Sequence, residues 1–404
     1  MNAKGPTFTR RMLLTTAAGA GAAAVFAPSV LRAQQLSGPI RIGGLMSLTG
    51  AGGTWGPIMA KIQQQIVDQV NEAGGILGQK VEYYVEDDQT NPDAGVLAIR
   101  KLIDVNKVCA VTGVWSSAVA MPTLPICWQN KVTMLGIAAS DTLAEMPHEG
   151  YFIRTYVPVS LQGREIGRFG MKRGAKKFFV MLAQNPFSLA MLKGLKDEVE
   201  PQGAKVSHVI YDGTKTSFRS EVDQALKEKP DFIMLGGYPQ DSASIMKELY
   251  RNNYSGTVCG FGTAITEEFL QAAGKGVTEA VFTVFPSVAE NSDAYKNLQK
   301  LVGTGGLLDT NRCQAYDQIN LALLAVAASK QATGEAIQKT IRSTIGGPEG
   351  EPVGDVMTGL KLLAEGKKIN YEGASSNCEF LPNGNLPNAY FKTMQVKEGK
   401  LVTV

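Results

Sequence analysis

Ile40-Arg41-Ile42-Gly43-Gly44-Leu45-Met46 is a short apolar run, and the helix-like stretch after it decides the fold. Residues 58–71 place Ile58, Ile62, Ile66 and Val70 at helical spacing and stop at Gly74-Gly75, as an amphipathic helix with a glycine end does. Val81-Glu82-Tyr83-Tyr84-Val85 then alternates like a strand. Strand, helix, strand at these lengths predicts a βαβ unit and hence a parallel sheet. The rhythm continues through strands expected at 108–111, 132–137 and 152–155. Before the first of these, Asn91-Pro92-Asp93 opens a helix with proline at a tolerated early position.

The same alternation restarts after Val157-Pro158. Strands are expected at 177–182, 205–210, 231–235, 258–261 and 279–284, with helices at 161–172, 188–199, 218–227 and 242–252. After Phe285-Pro286, helices at 293–302, 312–329 and 335–343 follow with no strand between them, so they must pack back on an existing layer. Residues 389–396 and 401–404 read as a hairpin around Lys397-Glu398-Gly399-Lys400. The expected fold class is α/β, with two doubly wound parallel-sheet lobes joined by a multi-strand hinge. Lobe one takes residues 36–156 and lobe two 157–284; 285–375 returns to lobe one and 376–404 to lobe two.

The chain has 404 residues, 44% hydrophobic and 19% charged, the balance of a folded globular protein. Residues 1–33 hold Lys4, Arg10, Arg11 and Arg32 and no acid, so the net charge of +3 becomes −1 without them. A near-neutral body has no basic footprint for nucleic acid. Thr9-Arg10-Arg11-Met12-Leu13-Leu14 opens a weakly apolar run that closes at Leu31-Arg32-Ala33, the plan of an export signal of twin-arginine type spanning 1–33. Two distant histidines, His148 and His208, speak against a metal site or a hydrolytic triad. No Gly-x-Gly-x-x-Gly or Gly-x-Ser-x-Gly loop follows a strand, so no cofactor and no catalytic residue is expected. The five cysteines form no Cys-x-x-Cys pair. Cys109 and Cys259 sit in strand-like runs, and a Cys313–Cys378 bridge is one option in an oxidising compartment. Glu86-Asp87-Asp88 reads as a turn cluster before it reads as a cation site.

Gly50, Gly52-Gly53-Thr54-Trp55-Gly56, then Asn71-Glu72-Ala73-Gly74-Gly75-Ile76-Leu77-Gly78, then Glu86-Asp87-Asp88 stand in that order along the chain. With Ser116-Ser117, Ala138-Ala139-Ser140 and Gly236-Gly237-Tyr238, this order resembles the type I periplasmic binding proteins, specifically the leucine/isoleucine/valine-binding solute receptors of ABC importers. The resemblance implies a periplasmic, monomeric receptor that closes two lobes on a small solute and then meets a membrane permease. It also implies that Ser117, Ala138, Ala139 and Ser140 hold a ligand carboxylate. Trp55 would wall the cleft, and Phe187 and Tyr238 would close over the ligand from lobe two. Taken from spacing alone, Ser117 and Ser140 are as readily helix caps, and each aromatic as readily core.

The chain departs from that pattern at Gly262. Amino-acid receptors of this type carry a carboxylate there for the ligand ammonium. Asp241 and Glu267 are nearby acids that read as surface groups. The ligands that fit are a branched-chain or other apolar amino acid, or a small organic or aromatic acid. The rival function is a ligand sensor on the same fold.

Overall fold

The computed structural model describes residues 36, 38–213, 215–304, 308–347 and 349–404, and the expected export signal lies outside them. Strands β1 (Ile40–Met46), β2 (Val81–Asp87), β3 (Ala110–Val114), β4 (Thr133–Gly136) and β5 (Phe152–Arg154) form one parallel sheet in the order β2-β1-β3-β4-β5. All but one residue of β1 are buried, as a strand covered by helices on both faces requires. Five more parallel strands, β6 (Lys177–Ala183), β7 (Lys205–Tyr211), β8 (Phe232–Gly236), β9 (Thr257–Phe261) and β10 (Phe282–Pro286), build the second sheet. A short parallel pair, β11 (Glu351–Val353) and β12 (Ile369–Tyr371), has no counterpart in the sequence pattern.

The expected hairpin forms as β13 (Phe391–Lys397) and β14 (Lys400–Thr403), and β13 adds antiparallel to β10. Its two turn residues, Glu398 and Gly399, have φ of 52° and 74°, the left-handed pair that a tight hairpin needs. The second sheet therefore runs β14-β13-β10-β9-β8-β6-β7.

The order of each sheet fixes where a site can lie. In the first, the winding direction reverses between β1 and β3; in the second, it reverses between β6 and β8. Loops at the carboxyl ends of such strand pairs part and leave a crevice. The four loops concerned carry Trp55, Trp115-Ser116-Ser117, Asn185 with Phe187, and Gly237-Tyr238.

The long helix Thr310–Ser329 returns to the first sheet and is buried along nearly its whole length, in keeping with the apolar run 321–328. Gln318 ties it there: its Oε1 accepts from the Gly113 N–H at 2.7 Å and its Nε2 donates to Thr155 Oγ1 at 2.9 Å. Gly113 has φ of 85°, and the β3–β4 register shifts between Thr112 and Val114. This bulge re-aims the chain just before Trp115-Ser116-Ser117.

One expected boundary moves. The pattern gives residues from 376 to lobe two, but Cys378 packs in the first lobe's core, and Gly384 O accepts from the Arg154 N–H of β5 at 2.9 Å. The chain leaves the first sheet after Asn385, whose side chain also binds Arg154. All five cysteines are free thiols. Among the described residues no helix is long and apolar enough to cross a membrane.

Candidate functional site

A small cavity of about 50 Å³ lies among three of these loops, those after β3, β6 and β8. The first lobe supplies Trp115, Ser116, Ser117 and Ala118 beyond β3, Ile137 and Ala139 beyond β4, and Tyr156 beyond β5. The second supplies Asn185 and Phe187 beyond β6, Gly237 and Tyr238 beyond β8, and Phe261 and Thr263 at the end of β9. Thr310 and Asn311, at the start of the returning helix, complete the wall. Among these described residues none is ionised at neutral pH. Five are aromatic: Trp115, Tyr156, Phe187, Tyr238 and Phe261.

The polar end is built on the helix Ser117–Gln129. Its N-cap Ser116 is extended and makes no side-chain cap bond, so no cap side chain takes the first-turn N–H groups at the positive end of the helix dipole beside the cavity. The hydroxyl of Ser117 accepts from the buried Ser140 N–H at 3.1 Å. That bond uses the oxygen and leaves the hydroxyl hydrogen to donate into the cavity.

Ser140 is buried, and neither it nor Ala138 lines the cavity. The second helix tip expected at Ser140-Asp141 is a single turn, Thr142–Glu145. Asp141 instead accepts from Ser160 N at 3.1 Å and Ser160 Oγ at 2.6 Å. One helix N-terminus from the first sheet, not two, therefore faces the solute space.

The apolar end is an aromatic box. Phe187 and Phe261 meet at 5.0 Å between ring centres, and Trp115 lies 6.2 Å from Tyr238 across the lobes. Trp55 does not line this cavity; it stacks on the back of Trp115 at 5.0 Å and 26°. Trp55 and Gly262 instead line a wider opening on the far side of Tyr156 and Asn311. A Cβ built on Gly262 would come within 2.8 Å of Phe285 Cβ. The carboxylate absent from this position has no room in the present packing.

The two substitute acids do not enter the cavity. Asp241 is buried, not a surface group. It accepts from Tyr211 Oη at 3.2 Å and from the Ser242 N–H at 2.6 Å, and burial lifts its carboxyl to about 6 despite those bonds. Glu267 is exposed on the wider opening. Among the described residues no group of acids, histidines or cysteines is placed to hold a metal ion. Asp87 shapes the loop after β1 by accepting from Leu48 N at 2.9 Å and Thr49 Oγ1 at 2.6 Å, and Lys101 pairs with Glu86 at 2.7 Å.

Sequence reasoning missed Tyr156, Phe261, Thr263, Thr310 and Asn311. The last two stand nearly two hundred residues from Ser117, and nothing local marks them.

The "Periplasmic binding protein" family model matches residues 39–400. The chain is 25% identical over 356 residues to a chemotactic signal transduction substrate-binding protein, BasB of Halobacterium salinarum, covering 84% of this chain and 83% of that one. Its fold superposes on a leucine binding protein, LivK of Thermotoga maritima, with TM-score 0.77 at 21% identity, over 90% of this chain and 97% of that one. It also superposes on an ABC transporter solute binding protein of R. palustris in complex with benzoate, with TM-score 0.69 at 19% identity, over 91% and 96% of the two chains. The chain belongs to the periplasmic binding protein family, in the leucine/isoleucine/valine-binding-like branch of the type I fold.

Proposed function

We propose that this protein is the exported solute receptor of an ABC importer, and that it captures a small carboxylate with an apolar, preferably flat, body. The observation that carries this reading is the composition of the cavity. An uncapped helix N-terminus and the Ser117 hydroxyl supply donors for an anion, and five aromatic rings supply the wall for the rest. An ammonium group would find no ionised partner among the described lining residues, and burying one unpaired is costly. The ligand class therefore moves from amino acids toward their des-amino counterparts. The benzoate bound by the R. palustris relative is a ligand of this kind. The solute is bound and released unchanged.

Thermal-shift titration with paired probes tests this: 4-methylpentanoate against leucine, and phenylacetate against phenylalanine. The acids are expected to raise Tm and the amino acids to raise it less. A larger shift with the amino acids overturns the ligand class.

A second reading, ligand sensing, is favoured by the similarity to the chemotactic BasB protein. Uptake of a radiolabelled hit into cells with and without the gene separates the two. Lost uptake supports import; intact uptake with a lost tactic response supports sensing.

A further inference from the structure

Arg154 is the largest fully buried side chain of the described residues. Its hydrogen-bond partners are neutral: Nη1 donates to Ser140 O at 2.8 Å, and Nε and Nη2 donate to Asn385 Oδ1 at 3.1 and 2.5 Å. No carboxylate of the described residues lies within ion-pair distance of it. Asp141 acts on it as a charge only at longer range, without touching it, and accepts its hydrogen bonds from Ser160. A buried guanidinium without a contacting countercharge is costly to keep, so its retention calls for a reason.

The hydrogen bonds point to one. Arg154 grips the carbonyl of Ser140, the N–H of Ser140 grips the hydroxyl oxygen of Ser117, and Ser117 faces the cavity. We infer that Arg154 is the specificity-determining residue for ligand charge: a positioning residue whose unpaired cation acts through Ser140 and Ser117 on the acidic head of the solute. This rests on reading the cavity as a carboxylate site. Two effects combine. The chain at Ser140 is held so that Ser117 donates inward. The positive field, weakly screened in the interior, favours an anion over a neutral head of the same shape.

Asn385 permits a test that leaves Arg154 in place. Asn385→Asp puts a carboxylate of the same shape on the guanidinium fork, and Asn385→Ala removes the contact without adding charge. The probes are benzoate, phenylacetate and 4-methylpentanoate, each beside its primary amide, measured by calorimetry. In the wild type each acid binds tighter than its amide. In Asn385→Asp the acid-to-amide preference shrinks about tenfold, and in Asn385→Ala it is kept. Arg154→Met, which removes the cation and adds no charge, should shrink the preference as well; there a purely structural role would weaken acid and amide together and leave their ratio alone.

The empty proteins give a second readout. Asn385→Asp is expected to melt higher than wild type, because a bare buried cation gains its partner. An unchanged acid-to-amide ratio in Asn385→Asp, or a lower Tm for the empty variant, overturns the inference alone. Binding of none of the six probes by the wild type overturns the reading of the cavity, and the inference with it.

Discussion

At Gly262 the chain gives up a side chain, and Phe285 occupies the space. Gly262→Asp is expected to destabilise by roughly 1–3 kcal/mol through overpacking. Gly262→Asp with Phe285→Gly, which removes the Cβ in the way, should relieve that overpacking and shift preference from phenylacetate toward phenylalanine, read by calorimetry and thermal melts. Ser117→Ala removes a charge-assisted donor and leaves the buried Ser140 N–H without its acceptor. Affinity for the acids should fall about tenfold to a hundredfold, with a loss of stability on the order of 1 kcal/mol. Ser117, Phe187 and Tyr238 are named from the family resemblance; spacing alone leaves Ser117 as readily a helix cap and the aromatics as readily core. Arg154 is readable from neither, because its burial and its lack of an acid partner arise from Asn385, more than two hundred residues away.

Among the elements, the helix Pro239–Arg251 carries Asp241 in its first turn, where a carboxylate is favoured. Burial nevertheless raises that carboxyl from 3.8 to about 6. Between these values the folded chain holds a proton that the unfolded chain has lost. Stability from this group therefore falls as pH rises from about 4 to about 6, and the cost persists above. Wild type should gain on Asp241→Asn when pH drops from 7 to 5, by roughly 1 kcal/mol. Paired chemical denaturations at the two pH values check it. Strand and helix periodicity made nearly every element of the two sheets readable. The small pair β11–β12 was not readable, since three-residue strands carry too little alternation to register.

At the scale of the whole molecule, polar contacts bridge the lobes outside the cavity. Thr54 Oγ1 of the first donates to Glu268 Oε2 of the second at 3.0 Å, and Gln240 Nε2 holds the other oxygen at 2.7 Å. Glu268 does not line the solute cavity, so Glu268→Ala should weaken every solute by the same factor of about two to five, leaving selectivity unchanged. Such a uniform loss is the sign of a depleted closed state, and small-angle scattering of the empty variant should show a larger radius of gyration. The alternation of strands and helices foretold two lobes. It did not foretell where the chain crosses for the last time, because loop residues such as Gly384 belong to whichever surface their backbone meets.

The hairpin β13–β14 seals the edge of β10 with residues about a hundred positions further along the chain, while the first sheet waits for the helix Thr310–Ser329. Neither lobe is a contiguous piece of chain. A nascent polypeptide stalled at residue 300 holds a first sheet without its covering helix and a second without its edge strands, both prone to sticking. Residues 391–403 must therefore be made before the second sheet has its antiparallel edge, long after its five parallel strands.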